Sequence, residues 1–203
     1  MTTILHIDSS AKSQGSATRA ISADAVATLQ KTYPQATVVY RDLTKDPLPH
    51  ISPEFLAGIF AGGEFANHPT VKLSDSLVEE LFAADILVIG APMYNFSIPS
   101  QLKAWIDHVL RAGKTFKYTE QGPIGLVTGK RAIVAVASGG FYSEGPMMPF
   151  DHVSTLMTQL LNFIGVTDVT VVRAEKQAFG PEVAGQEVAH AKQEVEVAAS
   201  RAA

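Results

Sequence analysis

The chain has 203 residues, 46% hydrophobic and 18% charged, with a formal net charge of −4. That size and balance predict a single compact domain over 1–203 with a sizeable core, and they exclude a disordered chain. Mild acidity argues against a nucleic-acid partner, which clustered Lys and Arg would hold; the lack of cysteine excludes disulfides, thiol catalysis, iron–sulfur clusters and Cys-type zinc sites.

The first expected strand is Thr3–Asp8. The chain opens with Met1-Thr2-Thr3-Ile4, already entering that strand, without the basic segment, apolar run and small-residue cleavage site of a signal peptide. No apolar run approaches the ~20 residues of a membrane span. No membrane span is therefore expected, and the expected location is cytoplasmic. A helix over 16–32 carries Ile21, Ala25 and Leu29 at i, i+4 spacing and ends before Pro34. The second strand is 37–41. An irregular segment over 43–69 contains four prolines and a short apolar piece, 55–60, expected to make one or two helical turns. Next come a helix over 70–83 with Leu73, Leu77 and Leu81 in register, and an apolar third strand over 85–90. A helix runs from Pro99-Ser100 through Trp105 to about Arg111. A turn-rich stretch over 113–129 leaves room for a hairpin at 115–118. The fourth strand is Arg131–Ala137. After a Pro/Met-rich loop, a helix places Val153, Leu156, Met157, Leu160 and Ile164 on one face. The fifth strand is 168–173, and an Ala/Glu-rich helix over 181–199 closes the chain. Alternating strands and helices predict an α/β fold whose parallel sheet is covered on both faces, in one of the two common doubly wound orders.

Ligands of such sheets bind beyond the carboxyl ends of the strands, and three unusual loops leave strands one, three and four. The first, 8–18, holds five hydroxyl residues and opens a helix, where an ordinary N-cap needs one. Free N–H groups at a helix start favour a phosphate, and Ser10, Ser16 and Thr18 add hydroxyl donors. The second loop, Met93-Tyr94-Asn95-Phe96, carries rings and an amide suited to a flat heteroaromatic system. The third, Ser138-Gly139-Gly140-Phe141, lets backbone approach a ligand edge. Taken singly, each has a plainer reading: a strand–helix turn, a packing corner, a simple turn. Together at one sheet edge they point to bound flavin mononucleotide (FMN). The G-x-G-x-x-G fingerprint is absent, and the stretch from Gly125 to Lys130 is one residue short of a Walker loop and precedes a strand.

These residues also carry a family resemblance. The Ser9-Ser10 turn with Ser16-Ala17-Thr18, Ala91-Pro92-Met93-Tyr94-Asn95-Phe96, Phe116-Lys117-Tyr118-Thr119-Glu120-Gln121-Gly122-Pro123, the segment from Gly125 to Lys130, and Phe163-Ile164-Gly165 resemble the FMN-dependent NADH-azoreductases. Those belong to the flavodoxin-like NAD(P)H quinone reductases, and the likeness runs along essentially the whole chain. It implies a flavodoxin-like doubly wound five-stranded parallel sheet of order 2-1-3-4-5. It also implies a homodimer with FMN sites at the interface, NADH or NADPH as donor, and quinone or azo acceptors. FMN would meet Ser10, Ser16, Ala17 and Thr18 at its phosphate. Met93, Tyr94, Asn95, Phe96, Ser138, Gly139, Gly140 and Phe141 would hold its ring, with Phe60, Tyr118 and Phe163 walling the substrate pocket. The flavin carries the chemistry, so no catalytic side chain and no metal ligand is expected. Asp8 stands before the serine pair where relatives can carry Lys, and Ser138 stands where they often carry Arg.

Three rival readings are weaker. Val136-Ala137-Ser138-Gly139-Gly140 departs from a hydrolase nucleophile elbow at position 136. A flavodoxin-type electron carrier would be more strongly acidic. The six histidines form no H-x-H or H-x-x-x-H pair for a metal.

Overall fold

The computed structural model describes residues 1–61 and 63–200. Its strands are β1 (Thr3–Asp8), β2 (Thr37–Asp42), β3 (Ile86–Pro92), β4 (Phe116–Thr119), β5 (Gly122–Gly125), β6 (Arg131–Ala137) and β7 (Asp168–Ala174). Its helices are α1 (Ala17–Thr32), α2 (Pro53–Phe60), α3 (Pro69–Ala83), α4 (Ser100–Val109), α5 (His152–Ile164) and α6 (Pro181–Ser200). Short 3-10 turns fill Gly63–Asn67 and Gly145–Phe150. Five strands form one sheet in the order β2-β1-β3-β6-β7, with every neighbour parallel. Counting only those five, the order is the expected 2-1-3-4-5.

Strand residues alternate between faces with a period of two, and both faces are covered. Leu5, Ile7, Leu87, Ile89, Val134 and Val136 share one cluster with α3, α4 and α5. Ile4, Ile86, Val88, Ile133, Ala135 and Val172 share the other with α1 and α6. Helix α4 shows why the apolar spacing works. Leu102, Trp105, Ile106 and Val109 fall at i, i+3, i+4 and i+7, and all four are buried. Each such large side chain contributes about 1.5–3 kcal/mol by leaving water. Among the described residues, no helix is long and apolar enough to cross a membrane.

The differences from expectation lie at ends and in turns. Ser16 caps α1 rather than beginning it, and Pro53 occupies the first turn of α2 behind a Ser52 cap. Helix α4 stops at Val109, short of Arg111. The hairpin lies at β4 and β5, later than 115–118 and joined antiparallel. It exists because backbone meets backbone behind it. Helix α5 ends at Gly165 in a left-handed conformation (φ 107°). Gly165 N–H donates to Asn162 O, and Val166 N–H donates to Leu161 O at 2.9 Å. A Cβ on Gly125 would lie 2.2 Å from Gly165 N. Only glycine lets β5 touch that helix end.

Candidate active site

The sheet register sets the carboxyl ends along one rim. Asp8 pairs with Asp42 and with Gly90, and Ala137 pairs with Pro92 and Ala174. All three unusual loops leave from this rim.

In the first loop, Ser9, Ser10, Ser16 and Thr18 are buried. Ser9 Oγ donates to Gly90 O at 2.6 Å, which ties the loop to β3. Ser16 Oγ accepts from Arg19 N–H at 3.4 Å and lies 3.2 Å from Thr18 Oγ1. The N–H groups of Ala17 and Thr18 open the helix without an intrahelical partner and have no other backbone partner among the described residues. Two hydroxyls and two N–H groups thus sit at the positive end of a 16-residue helix. Gly90 makes room for the Asp8 carboxylate beside α1. A Cβ there would stand 2.7 Å from Asp8 Oδ1 and 3.6 Å from Thr18 Cβ.

Behind this loop lies a charged network. The Arg19 guanidinium meets both Asp42 oxygens at 2.8 Å and reaches Ser10 O through Nε (3.3 Å) and Nη2 (2.8 Å). Asp8 accepts from Ser22 Oγ at 2.8 Å and Tyr40 Oη at 3.1 Å, with His6 Nε2 3.5 Å away. Hydrogen bonding from Arg19 holds the Asp42 carboxyl far below the usual carboxylate range, against the burial that would raise it. Burial also opposes the charge on Asp8, but His6, Ser22 and Tyr40 more than offset it and its pKa falls. Burial and then the Asp8 carboxylate push the Tyr40 phenol up to about 12.

The second loop is a tight reversal. Tyr94 and Ser97 exchange both backbone bonds, at 2.9 and 3.1 Å. Asn95 and Phe96 both have positive φ, 49° and 69°. That pair of signs is the twist of a type I′ turn. Asn tolerates that conformation but Phe is an outlier in it, and such strain is found at ligand clamps. The turn lifts Phe96 (43% exposed) and Tyr94 (39%) off the rim. Tyr94 Oη accepts Ala11 N–H at 3.0 Å and lies 3.5 Å from Ser10 Oγ, which fastens the second loop to the first. Met93 N–H donates to Ala137 O at 2.8 Å, which fastens it to β6.

In the third loop the carbonyls of Ser138, Gly139 and Gly140 accept from the N–H groups of Gln177, Ala178 and Lys176. Glu175, buried, accepts from Tyr142 N–H at 2.6 Å and Ser143 N–H at 3.0 Å. With the carbonyls committed outward, the Gly139 and Gly140 N–H groups have no backbone partner among the described residues. Tyr142 and Phe150 pack on Phe96, with ring centroids 6.1 and 5.4 Å apart, so loops two and three share an aromatic wall.

The structure therefore gathers all the expected cofactor residues, from Ser10 to Phe141, along one rim. It does not bring the three expected pocket rings to them. Tyr118 (73% exposed) and the half-buried Phe163 pack on Phe116, and Phe60 is 75% exposed. Among the described residues, no ring contact or hydrogen bond joins these three to the loops. Arg19, Asp42 and Glu175 went unnoticed in the sequence because each reads there as an ordinary helix or strand-end charge. The available signal was charge at a strand's carboxyl end, beside a loop rich in hydroxyls. No group of described residues could hold a metal ion.

Comparison with known proteins agrees with this geometry. The sequence model of the flavodoxin-like fold family matches residues 2–198. The FMN-dependent NADH:quinone oxidoreductase of Ralstonia nicotianae is 47% identical over 197 residues, covering 93% of each chain. That of Herminiimonas arsenicoxydans is 49% identical over 185 residues, covering 90% of this chain and 91% of its own. The crystal structure of an azoreductase from Bacillus anthracis superposes with a TM-score of 0.89 at 30% identity, covering 98% of this chain and 99% of that one. An FMN-dependent NADH-azoreductase from the same species, solved in complex with FMN, gives 0.88 at 27%, covering 99% of both. By whole-length sequence and by structure, the chain belongs to the flavodoxin-like fold family, among the FMN-dependent NADH:quinone oxidoreductases.

Proposed function

We propose that this chain is an FMN-dependent NADH:quinone oxidoreductase that also reduces azo compounds. The observation that carries this is the pairing of two half-sites on one rim. The start of α1 offers hydroxyl and N–H donors only, and the Tyr94 hydroxyl joins it to an aromatic, glycine-flanked frame. The donor set fits a phosphate monoester, and the frame, with free N–H groups at Gly139 and Gly140, fits the edge of a flat ring. FMN, once bound, would supply two-electron hydride chemistry between cytoplasmic NADH or NADPH and a quinone or azo acceptor in a ping-pong cycle, with the remaining proton drawn from water.

The chain's own residues bind and orient. Ser10, Ser16 and Thr18, with the N–H groups of Ala17 and Thr18, hold the phosphate end. Met93, Tyr94, Asn95 and Phe96 cover the ring, and the N–H groups of Gly139 and Gly140 aim partial positive charge at the ring edge where negative charge develops. Phe141 and the Phe96, Tyr142 and Phe150 wall keep water from one side. Phe60 and Tyr118, exposed on this subunit, suit pocket walls shared between two copies. That supports a homodimer of single, doubly wound domains, with Phe163 behind Tyr118. Purified protein should be yellow and should oxidise NADH when menadione is supplied. Retained flavin without NADH or NADPH oxidation would instead fit an electron carrier.

A further inference from the structure

We propose that Arg19 is a positioning residue for the phosphate loop, pinning it open for the FMN phosphate without itself binding that phosphate. This rests on the FMN reading above and concerns how this chain builds the site. Arg19 lies in the first turn of α1 and looks at first like the cation that would neutralise a phosphate at the helix start. The geometry assigns it elsewhere. Its Nε–H donates to Ser10 O at 3.3 Å. Nη2 donates to Ser10 O (2.8 Å), Asp42 Oδ1 (2.8 Å) and Thr44 Oγ1 (3.0 Å). Nη1 donates to Asp42 Oδ2 at 2.8 Å and Tyr40 Oη at 3.2 Å. All five guanidinium N–H bonds are committed, so none is left for a ligand. The positive charge is also matched, since Asp42 grips it with both oxygens and Asp8 Oδ2 lies 3.6 Å away.

This fork fixes the loop. Asp42 is itself held by Thr44, whose N–H and Oγ both donate to Oδ1, so the anchor sits on the rigid end of β2. From that anchor Arg19 holds the Ser10 carbonyl inward. The same trans peptide then points its N–H the other way, and Ala11 N–H reaches Tyr94 Oη. The Arg19 backbone N–H meanwhile donates to Ser16 Oγ at the far end of the same loop. One residue thus contacts both ends of the stretch from Ser10 to Ser16. A loop ordered beforehand need not be ordered at the moment of binding, and affinity gains accordingly. Lysine cannot replace it, because a single ammonium cannot grip a carboxylate in a fork while sending two further donors to one carbonyl.

The test compares two probes on apoprotein: FMN, and riboflavin, which lacks the phosphate. Wild-type protein should bind FMN much more tightly than riboflavin. Arg19→Lys should weaken FMN by about tenfold, the worth of one or two well-placed hydrogen bonds, and leave riboflavin nearly unchanged. Asp42→Asn, a milder change that keeps the side chain's shape, should move FMN in the same direction. Hydrogen exchange of amides 10–16 should quicken in both variants while that of β3 and β6 does not. An FMN affinity within about twofold of wild type in both variants, under ~0.4 kcal/mol, overturns the proposal. So does an equal loss for both probes with a fall in melting temperature, which would mark Arg19 as merely structural. If wild-type protein binds neither probe, the FMN reading itself fails, and that result cannot be confused with the others.

Discussion

Removing the Ser16 and Thr18 hydroxyls together should cost FMN affinity and little else. Each is placed to donate to a phosphate oxygen, and a hydrogen bond to a charged group contributes about 1.5–3 kcal/mol. In the free protein the two hydroxyls lie 3.2 Å apart and satisfy one another, which returns ~1 kcal/mol, the worth of an ordinary neutral bond. The Ser16 cap on Arg19 N–H, long at 3.4 Å, is present with and without ligand and so cancels from the affinity. Its loss appears only as ~0.5 kcal/mol of stability, the low end for caps. The net is about 2–5 kcal/mol, or roughly 30–4,000-fold in Kd. Fluorescence quenching of FMN titrated with the Ser16→Ala, Thr18→Ala apoprotein measures this directly, and riboflavin serves as control. A shift of less than about threefold, under ~0.7 kcal/mol, would refute the placement of the phosphate at the start of α1.

Tyr94→Phe keeps the ring but removes the oxygen that accepts Ala11 N–H. FMN affinity should fall by roughly 3–10-fold, the worth of one neutral hydrogen bond, with the turnover of reconstituted enzyme unchanged; titration and steady-state kinetics check both. Gly125→Ala forces a Cβ to within 2.2 Å of Gly165 N. It should cost ~3 kcal/mol, and so lower the melting temperature by roughly 6–12 °C for a domain of this size. A fall of under about 2 °C would show that the hairpin yields freely. Acid should destabilise the fold through Asp42. Its folded pKa is depressed, so its contribution is present above the unfolded value of about 3.9 and is lost as pH falls below it. The drop in melting temperature below pH ~4 should be shallower in Asp42→Asn, and an unchanged acid limb would contradict the Arg19–Asp42 pairing.

What the sequence revealed follows from how local each signal is. The runs Ile86-Leu87-Val88-Ile89 and Ile133-Val134-Ala135-Val136 are apolar throughout because both sheet faces are covered, so the strands and their parallel arrangement are legible, whereas the strand order comes only with the family resemblance. Ser16 and the proline at position 34 bracketed α1 for similar local reasons. The hairpin was misplaced because its register depends on Gly125 meeting Gly165, two residues far apart in the chain. The 3-10 turn at Gly145–Phe150 was read as loop, since its prolines interrupt any helical period. In the site, hydroxyl density and the ring-rich loop stood out by composition. Arg19 and Glu175 did not, because what they do depends on partners supplied by other strands and loops. The strain at Phe96 is equally hidden, since Phe, unlike the Asn before it, gives no sign of a positive φ. Tyr118 and Phe163 were named as pocket rings, yet within one subunit they meet only through Phe116.

FMN held at this rim should pass electrons from a nicotinamide donor to a quinone. Rapid anaerobic mixing of the purified yellow protein with NADH, and then with menadione, examines it most directly. The visible flavin absorption should bleach in the first mix and return in the second, with one flavin cycling per chain. Protein that takes up no FMN when supplied with it, or that keeps its yellow colour in the presence of both NADH and NADPH, would contradict it.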